Sequence, residues 1–345
     1  MTQPLRTVVV GYGKATRFYH APITASTSGL ALHGIATNSP EKQHEIESTY
    51  KCKSYLGLEA VLVDPEVDLV VLSTPNSTHA PMAVAALNAG KNVITEKVMC
   101  LSLAECDEMI GAAELSGKLL SVFQNRRWDG DFLTVRRLLN EGQLGTVRWI
   151  EMAWQRWDSP TGWRAEAQMG GGRFYDLGAH LLDQLLLLFP QDVQSVFCKK
   201  HYDFPNLDVE SHALIVVNFV DGATGVIDLG SMAAIGKPRF HLFGDKATFA
   251  KHGLDPQDDA ARAGDIDAAT VEDEANFGQL FDGKHQITIP TIQGRWRSYY
   301  ENIVDVLQNG AESAVKLHEA RRVIGVLEAA MRSAREGRSI SVNHE

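Results

Sequence analysis

Asp176, His180 and Asp183 follow the glycine run Gly170-Gly171-Gly172 at separations suited to proton chemistry. Residues three and four apart share one face of a helix, so the spacing predicts an imidazole lying between two carboxylates. A histidine so placed exchanges protons near neutral pH, and an adjoining carboxylate fixes its tautomer and favours its charged form. Leu181, Leu182, Leu185 and Leu186 face elsewhere on the same helix. A second chemical feature opens the chain. Thr7-Val8-Val9-Val10 runs into Gly11-Tyr12-Gly13-Lys14-Ala15-Thr16, the strand–turn–helix order of a dinucleotide-binding turn. There Gly11 makes the tight turn and Gly13 lets backbone approach a pyrophosphate at a helix N-terminus. Thr16 stands where a third glycine is usual.

The elements needed to position these groups can be read from the apolar pattern. Leu32–Thr37 reads as a second strand and 67–74 as a buried parallel one, ending in the turn cluster Thr74-Pro75-Asn76-Ser77-Thr78-His79. Ala80–Ala89 is the expected following helix, stopped by Gly90. Lys91–Thr95 then delivers Glu96-Lys97 to the same sheet edge, and Leu119–Phe123 adds a last strand. Alternation over roughly the first 120 residues predicts a doubly wound parallel sheet, with ligands at the carboxyl ends of its strands. The second strand ends Ala36-Thr37-Asn38-Ser39, with no carboxylate before Glu41. Thr37, Asn38, Ser39 and Lys42 could accept a 2′-phosphate, so NADP is expected in preference to NAD.

From Val147 the pattern changes to longer strands, over Val147–Trp157, Val193–Cys198, His212–Val220, Thr224–Met232 and Arg239–Phe243. Asp221-Gly222 is a hairpin signal between two of them. These predict an α+β domain with a large, mostly antiparallel open sheet, so the expected division is 1–123 for dinucleotide binding and 124–345 for substrate binding and oligomerisation. Residues 255–276 lack strand pattern and read as a loop or short-helix insertion whose acids are solvated. Trp296–Leu307 and Leu317–Ala334 read as amphipathic helices. Trp154, Trp157 and Trp163 suit either a sugar-binding cleft or a packed core.

With 44% hydrophobic and 22% charged residues, the chain has ordinary globular composition, long enough at 345 residues for two cored domains. A net charge of −10 argues against nucleic acid or an anionic membrane as partner. Cys52, Cys100, Cys106 and Cys198 are scattered, which suggests neither a disulfide framework nor a metal site. The thiols and the lack of a leader-like apolar start lead us to expect a cytoplasmic location.

The glycine turn, the Thr74–His79 cluster, Glu96-Lys97 and the Asp176/His180 segment, in this order, resemble the glucose-fructose oxidoreductase and inositol dehydrogenase (Gfo/Idh/MocA) family over essentially the whole chain. Asn125-Arg126-Arg127-Trp128-Asp129-Gly130-Asp131-Phe132-Leu133-Thr134 is similar to a bacterial branch that includes NADP-dependent scyllo-inositol dehydrogenases. The resemblance implies a Rossmann domain followed by an α+β domain whose sheet makes subunit contacts in a homodimer or larger assembly. It also implies that Lys97 and His180 flank the substrate's reacting carbon with Asp176 beside them. The nicotinamide then lies against the turn after Thr74, and Trp163-Arg164 contacts the cofactor. Where the family reads Glu-Lys-Pro this chain has Val98, which is expected to loosen or redirect the backbone that aims Lys97.

Together these features predict reversible hydride transfer between nicotinamide and a secondary alcohol of a polyol, cyclitol or sugar. His180 is the expected acid/base, Asp176 its tuner and Lys97 the donor to the substrate oxygen. Asp183 is expected to support the helix, and Asn125–Trp128 to serve in salt bridges and packing. Two other readings use the same site: a silent NADP-binding sensor, and a glycosidase that uses the dinucleotide transiently.

Overall fold

The computed structural model describes residues 3–342. It divides into two compact units. One comprises residues up to 125 together with 257–270 and 296–321, and the other comprises 126–256, 271–295 and the residues from 322 onward.

In the first unit β1 (Leu5–Val10), β2 (Leu30–Thr37), β3 (Lys53–Leu56), β4 (Leu69–Leu72), β5 (Asn92–Thr95) and β6 (Leu120–Val122) form a parallel sheet in the order β3-β2-β1-β4-β5-β6. Val8, Val9, Leu69–Leu72, Val93 and Ile94 are sealed, as expected of strands covered on both faces. Strand order reverses between β1 and β4, so the carboxyl ends of these two strands flank the crevice where such sheets bind ligands. The later segments complete this unit's core. Trp296, Tyr299 and Tyr300 are fully buried, and the Tyr299 hydroxyl donates to Ser121 Oγ at 2.9 Å.

Residues 255–276 form a short helix, Gln257–Arg262, and single turns at Ile266–Ala268 and Glu274–Asn276. The expectation that its acids are solvated is corrected at three positions. Asp255 accepts the Gly130 N–H at 2.6 Å, Asp258 pairs with Arg262 at 3.0 Å, and Glu272 pairs with Lys251 at 2.8 Å. All three are buried, which a carboxylate tolerates only with such partners.

The second unit is built on a nine-stranded sheet: β7 (Val147–Gln155), β8 (Val193–His201), β9 (His212–Phe219), β10 (Thr224–Gly230), β11 (Phe240–Gly244), β12 (Thr248–Lys251), β13 (Gly278–Phe281), β14 (Gln286–Ile289) and β15 (Ile340–Ser341). Its order is β14-β13-β12-β11-β7-β10-β9-β8-β15, and β7 with β10 is the parallel pair in an otherwise antiparallel ladder. Helix Gly178–Leu188 lies on β10, where Gly225 leaves room for it: a Cβ there would come within 2.6 Å of Leu185. Trp149 and Phe243, register neighbours on β7 and β11, are 42% and 37% exposed. Among the described residues no helix is long and apolar enough to cross a membrane.

Candidate active site

Each unit carries its own cluster of sequence-predicted site residues. In the first, Gly11 has φ +101°, and a Cβ there would lie 2.2 Å from the Ser73 carbonyl oxygen, so the close approach of the β1 and β4 ends requires glycine. Thr16, in place of a third glycine, is buried, and its hydroxyl contacts the Gly11 carbonyl (2.7 Å) and Ser73 Oγ (3.0 Å). It ties the turn to the neighbouring strand end. A Cβ on Gly13 would meet open space, which leaves its backbone approachable.

Beyond β2, Thr37 is buried, Asn38 is exposed, and the Ser39 N–H donates to Thr37 Oγ1 at 3.2 Å. The nearby carboxylate that the sequence did not single out is Glu45. It accepts from the Tyr12 hydroxyl at 2.9 Å and from Lys42 Nζ at 3.2 Å, and the Arg17 guanidinium lies 5.3 Å from the Tyr12 ring. Burial and the Glu45 bond push the Tyr12 phenol pKa up, so Tyr12 stays a donor.

After β4, Pro75 leads a single turn, Asn76–Thr78, into helix His79–Asn88. The Thr78 hydroxyl contacts Thr74 Oγ1 and the Pro75 carbonyl, at 2.8 and 2.7 Å. His79 is fully buried, with Nδ1 2.8 Å from the Val98 carbonyl and Nε2 3.0 Å from the Thr74 carbonyl. Burial lowers its pKa, so near neutral pH the ring carries one hydrogen and serves one carbonyl at a time. His79 thus lies between the backbone at Val98 and the β4 turn. Val98 is itself buried and joined to Lys97 by a cis peptide bond.

In the second unit the expected single helix is two. Arg173–Asp176 and Gly178–Leu188 are separated at Leu177, so Asp176 stands on its own short turn. Its carboxylate engages Arg164 at 3.1 Å and Arg173 at 3.6 Å, and the Arg164 guanidinium also stacks 4.4 Å from the Trp163 ring. Asp183 holds a buried two-point pair with Arg127, at 2.8 and 2.6 Å. His180, 5% exposed, stacks on Trp154 with centroids 5.9 Å apart. Trp154 is in turn pinned by the guanidinium groups of Arg126 and Arg239, each 4.7 Å from its ring, so it belongs to the packed interior. One turn beyond His180, the Gln184 amide donates to the Arg126 carbonyl at 2.7 Å and its oxygen accepts from Arg239 at 3.1 Å. These contacts fix both the helix and the plane of the imidazole.

Glu210, which no local pattern marks, organises the glycine run. One of its carboxylate oxygens accepts the Phe174 N–H at 2.6 Å and the other pairs with Lys200 at 2.8 Å. Gly172 has φ +92°, and a Cβ there would lie 2.3 Å from Glu210 Oε1. Gly172→Ala is therefore expected to lose about 2 kcal/mol or more, from the left-handed backbone and the displaced carboxylate together. A urea midpoint unchanged from wild type would contradict that assignment. Away from these clusters, His33, Asp64 and Glu66 bring possible ligand atoms within 4.8 Å of one another, but Lys53 already lies 2.5 Å from Asp64.

Comparison with known proteins agrees with this architecture. Residues 5–124 match the model of the oxidoreductase family with an NAD-binding Rossmann fold, and residues 132–250 match the GFO/IDH/MocA C-terminal domain. The chain is 30% identical to the scyllo-inositol 2-dehydrogenase (NADP(+)) IolW of Bacillus subtilis, covering 97% of this chain and 95% of that protein. It is 33% identical to the uncharacterized oxidoreductase YdgJ of Escherichia coli, covering 97% and 98%. Among solved structures, an NAD-binding protein from Listeria innocua superposes with a TM-score of 0.87 at 28% identity, covering 99% of this chain and 98% of that one. The chain belongs to the GFO/IDH/MocA family of oxidoreductases, as an NAD(P)-dependent dehydrogenase with an NAD-binding Rossmann fold.

Proposed function

We propose that the enzyme is NADP-dependent and moves a hydride reversibly between nicotinamide and a secondary alcohol of a polyol or cyclitol, with inositols the first class to test. The observation that carries the cofactor choice is the end of β2. Thr37 offers a hydroxyl and Asn38 an exposed amide, while the nearby Glu45 is held by Tyr12 and Lys42. The substrate class rests on full-length likeness to a relative named for scyllo-inositol and NADP(+).

In this proposal Gly11, Tyr12 and Gly13 receive the pyrophosphate, and Thr37–Ser39 receive the ribose phosphate. Thr74, Pro75, Asn76, His79 and Glu96 shape the nicotinamide end, with Trp163 and Arg164 as further cofactor contacts. The bound cofactor supplies the hydride acceptor. His180, its ring stacked on Trp154, takes the hydroxyl proton as the carbon gives up its hydride, and Asp176 tunes it through its charge. Lys97 donates to the oxygen on which negative charge develops. The alcohol would thereby become a ketone, losing a hydride to the bound cofactor and one proton to His180, which would release it to solvent.

The same proposal places the enzyme in the reducing cytoplasm, in keeping with its scattered thiols. It joins copies through the sheet face that exposes Trp149 and Phe243. Fluorescence titration should show NADPH binding more tightly than NADH, and an inositol and sugar panel should give net NADP⁺ reduction. Tighter NADH binding would remove the NADP assignment. Glycoside cleavage without net reduction, or no turnover at all, would favour the glycosidase or the sensor respectively.

A further inference from the structure

Lys97 follows a glutamate whose neighbours in the first unit form a continuous buried chain. Glu96, 9% exposed, accepts the Lys97 backbone N–H on Oε2 at 3.0 Å, while Oε1 lies 2.8 Å from His20 Nε2. His20 is fully buried, with Nδ1 2.7 Å from the Tyr300 hydroxyl and Phe123 against its ring at 4.6 Å. Tyr300, also fully buried, arrives from helix Arg297–Asn309, 280 positions further along the chain.

The hydrogens can be assigned from these partners. Burial keeps the Tyr300 phenol protonated, and its hydroxyl hydrogen-bonds Nδ1. A carboxylate only accepts, so His20 carries hydrogen on Nε2 and donates it to Glu96, which accepts at both oxygens. We propose that His20 and Tyr300 are positioning residues for Lys97, because this buried chain fixes the carboxylate that holds the Lys97 backbone and so sets where the ammonium is presented. The inference rests on the role given to Lys97 above.

Three polar groups occupy a place where apolar residues would pack without a desolvation cost, which is reason to look for a task beyond stability. Burial works against the Glu96 charge, but the His20 N–H and Lys97 outweigh it and hold its pKa below the usual range. His79 and Tyr300 are the other titratable groups that face it. Loss of a donor to the charged form would raise that pKa.

The test compares wild type, His20→Ala, His20→Gln, Tyr300→Phe and Lys97→Ala, with scyllo-inositol and NADP⁺ as the probe pair. A glutamine amide can donate to Glu96 and hydrogen-bond Tyr300, so His20→Gln can keep both contacts of the chain. We expect kcat to fall about tenfold or more in His20→Ala and to be largely restored in His20→Gln. The acid limb of kcat should move to higher pH in His20→Ala and Tyr300→Phe. Nitrogen-15 spectra of the ring, read without substrate, should show His20 hydrogenated at Nε2 in wild type and a shifted signal in Tyr300→Phe.

A wild-type ring without hydrogen on Nε2 overturns the proposal. So does wild-type kcat with an unmoved acid limb in folded His20→Ala, or in Tyr300→Phe should the former not fold, while Lys97→Ala is inactive. Full turnover in Lys97→Ala instead removes the role of the lysine, and the ring spectra then decide the buried chain by themselves.

Discussion

Turnover is expected to fall by a factor on the order of 10² or more in His180→Ala and in Lys97→Ala, with NADPH binding nearly intact. Oxidation of an alcohol needs a group to accept the hydroxyl proton and a donor to the oxygen as charge develops on it. His180 is suited to the first task because its ring is stacked on an indole that two guanidinium groups pin, so it is held in one plane before substrate arrives. An imidazole so constrained gives up little orientational freedom in the reacting complex. Removing it deletes an interaction made in the transition state, so kcat and kcat/KM should fall together while the cofactor titration barely moves. Turnover within a factor of about two of wild type in either variant would remove that residue from the chemistry.

Asp183→Ala is expected to cost about 3–5 kcal/mol of stability, because it leaves the Arg127 guanidinium buried without its counter-charge. Arg127 and Asp183 are 6% and 2% exposed and share two hydrogen bonds, so neither can turn to water when the other is lost. Replacing both with apolar residues of similar size should recover much of the loss, since the cost lies in the unpaired charge. Denaturant unfolding of the single and double variants measures this. An Asp183→Ala protein within about 1 kcal/mol of wild type would show that the pair does not anchor the helix carrying His180. Lys97→Ala should lose turnover without any such loss of stability, which separates chemistry from scaffold.

The parallel sheet was legible because its strands are short β-branched runs punctuated by glycine, and a sheet buried on both faces requires that pattern. Gly11, the turn after Thr74 and the strand delivering Glu96-Lys97 fall where those runs place them. Sequence patterning misses the partners that arrive from far along the chain. Glu45 lies 33 positions from Tyr12, and Tyr300 lies 280 from His20, so no local periodicity records either bond. Nor does composition show that 257–270 and 296–321 return to the first unit, although the amphipathic pattern of Trp296–Leu307 marked a helix. The break at Leu177 escaped for a different reason. Spacing assumes an unbroken helix, whereas Asp176 turns to Arg164 and Arg173 on a separate short turn. Trp154, left open between cleft and core by its pattern alone, is buried against His180 and two arginines.

Direct transfer of the carbon-bound hydrogen is the property on which this reading of the enzyme stands. With scyllo-inositol deuterated at its ring carbons and unlabelled NADP⁺, NMR of the nicotinamide should show one deuterium in each NADPH formed. NADPH formed without deuterium, or label released to water with no net reduction, would contradict hydride transfer between a cyclitol and nicotinamide.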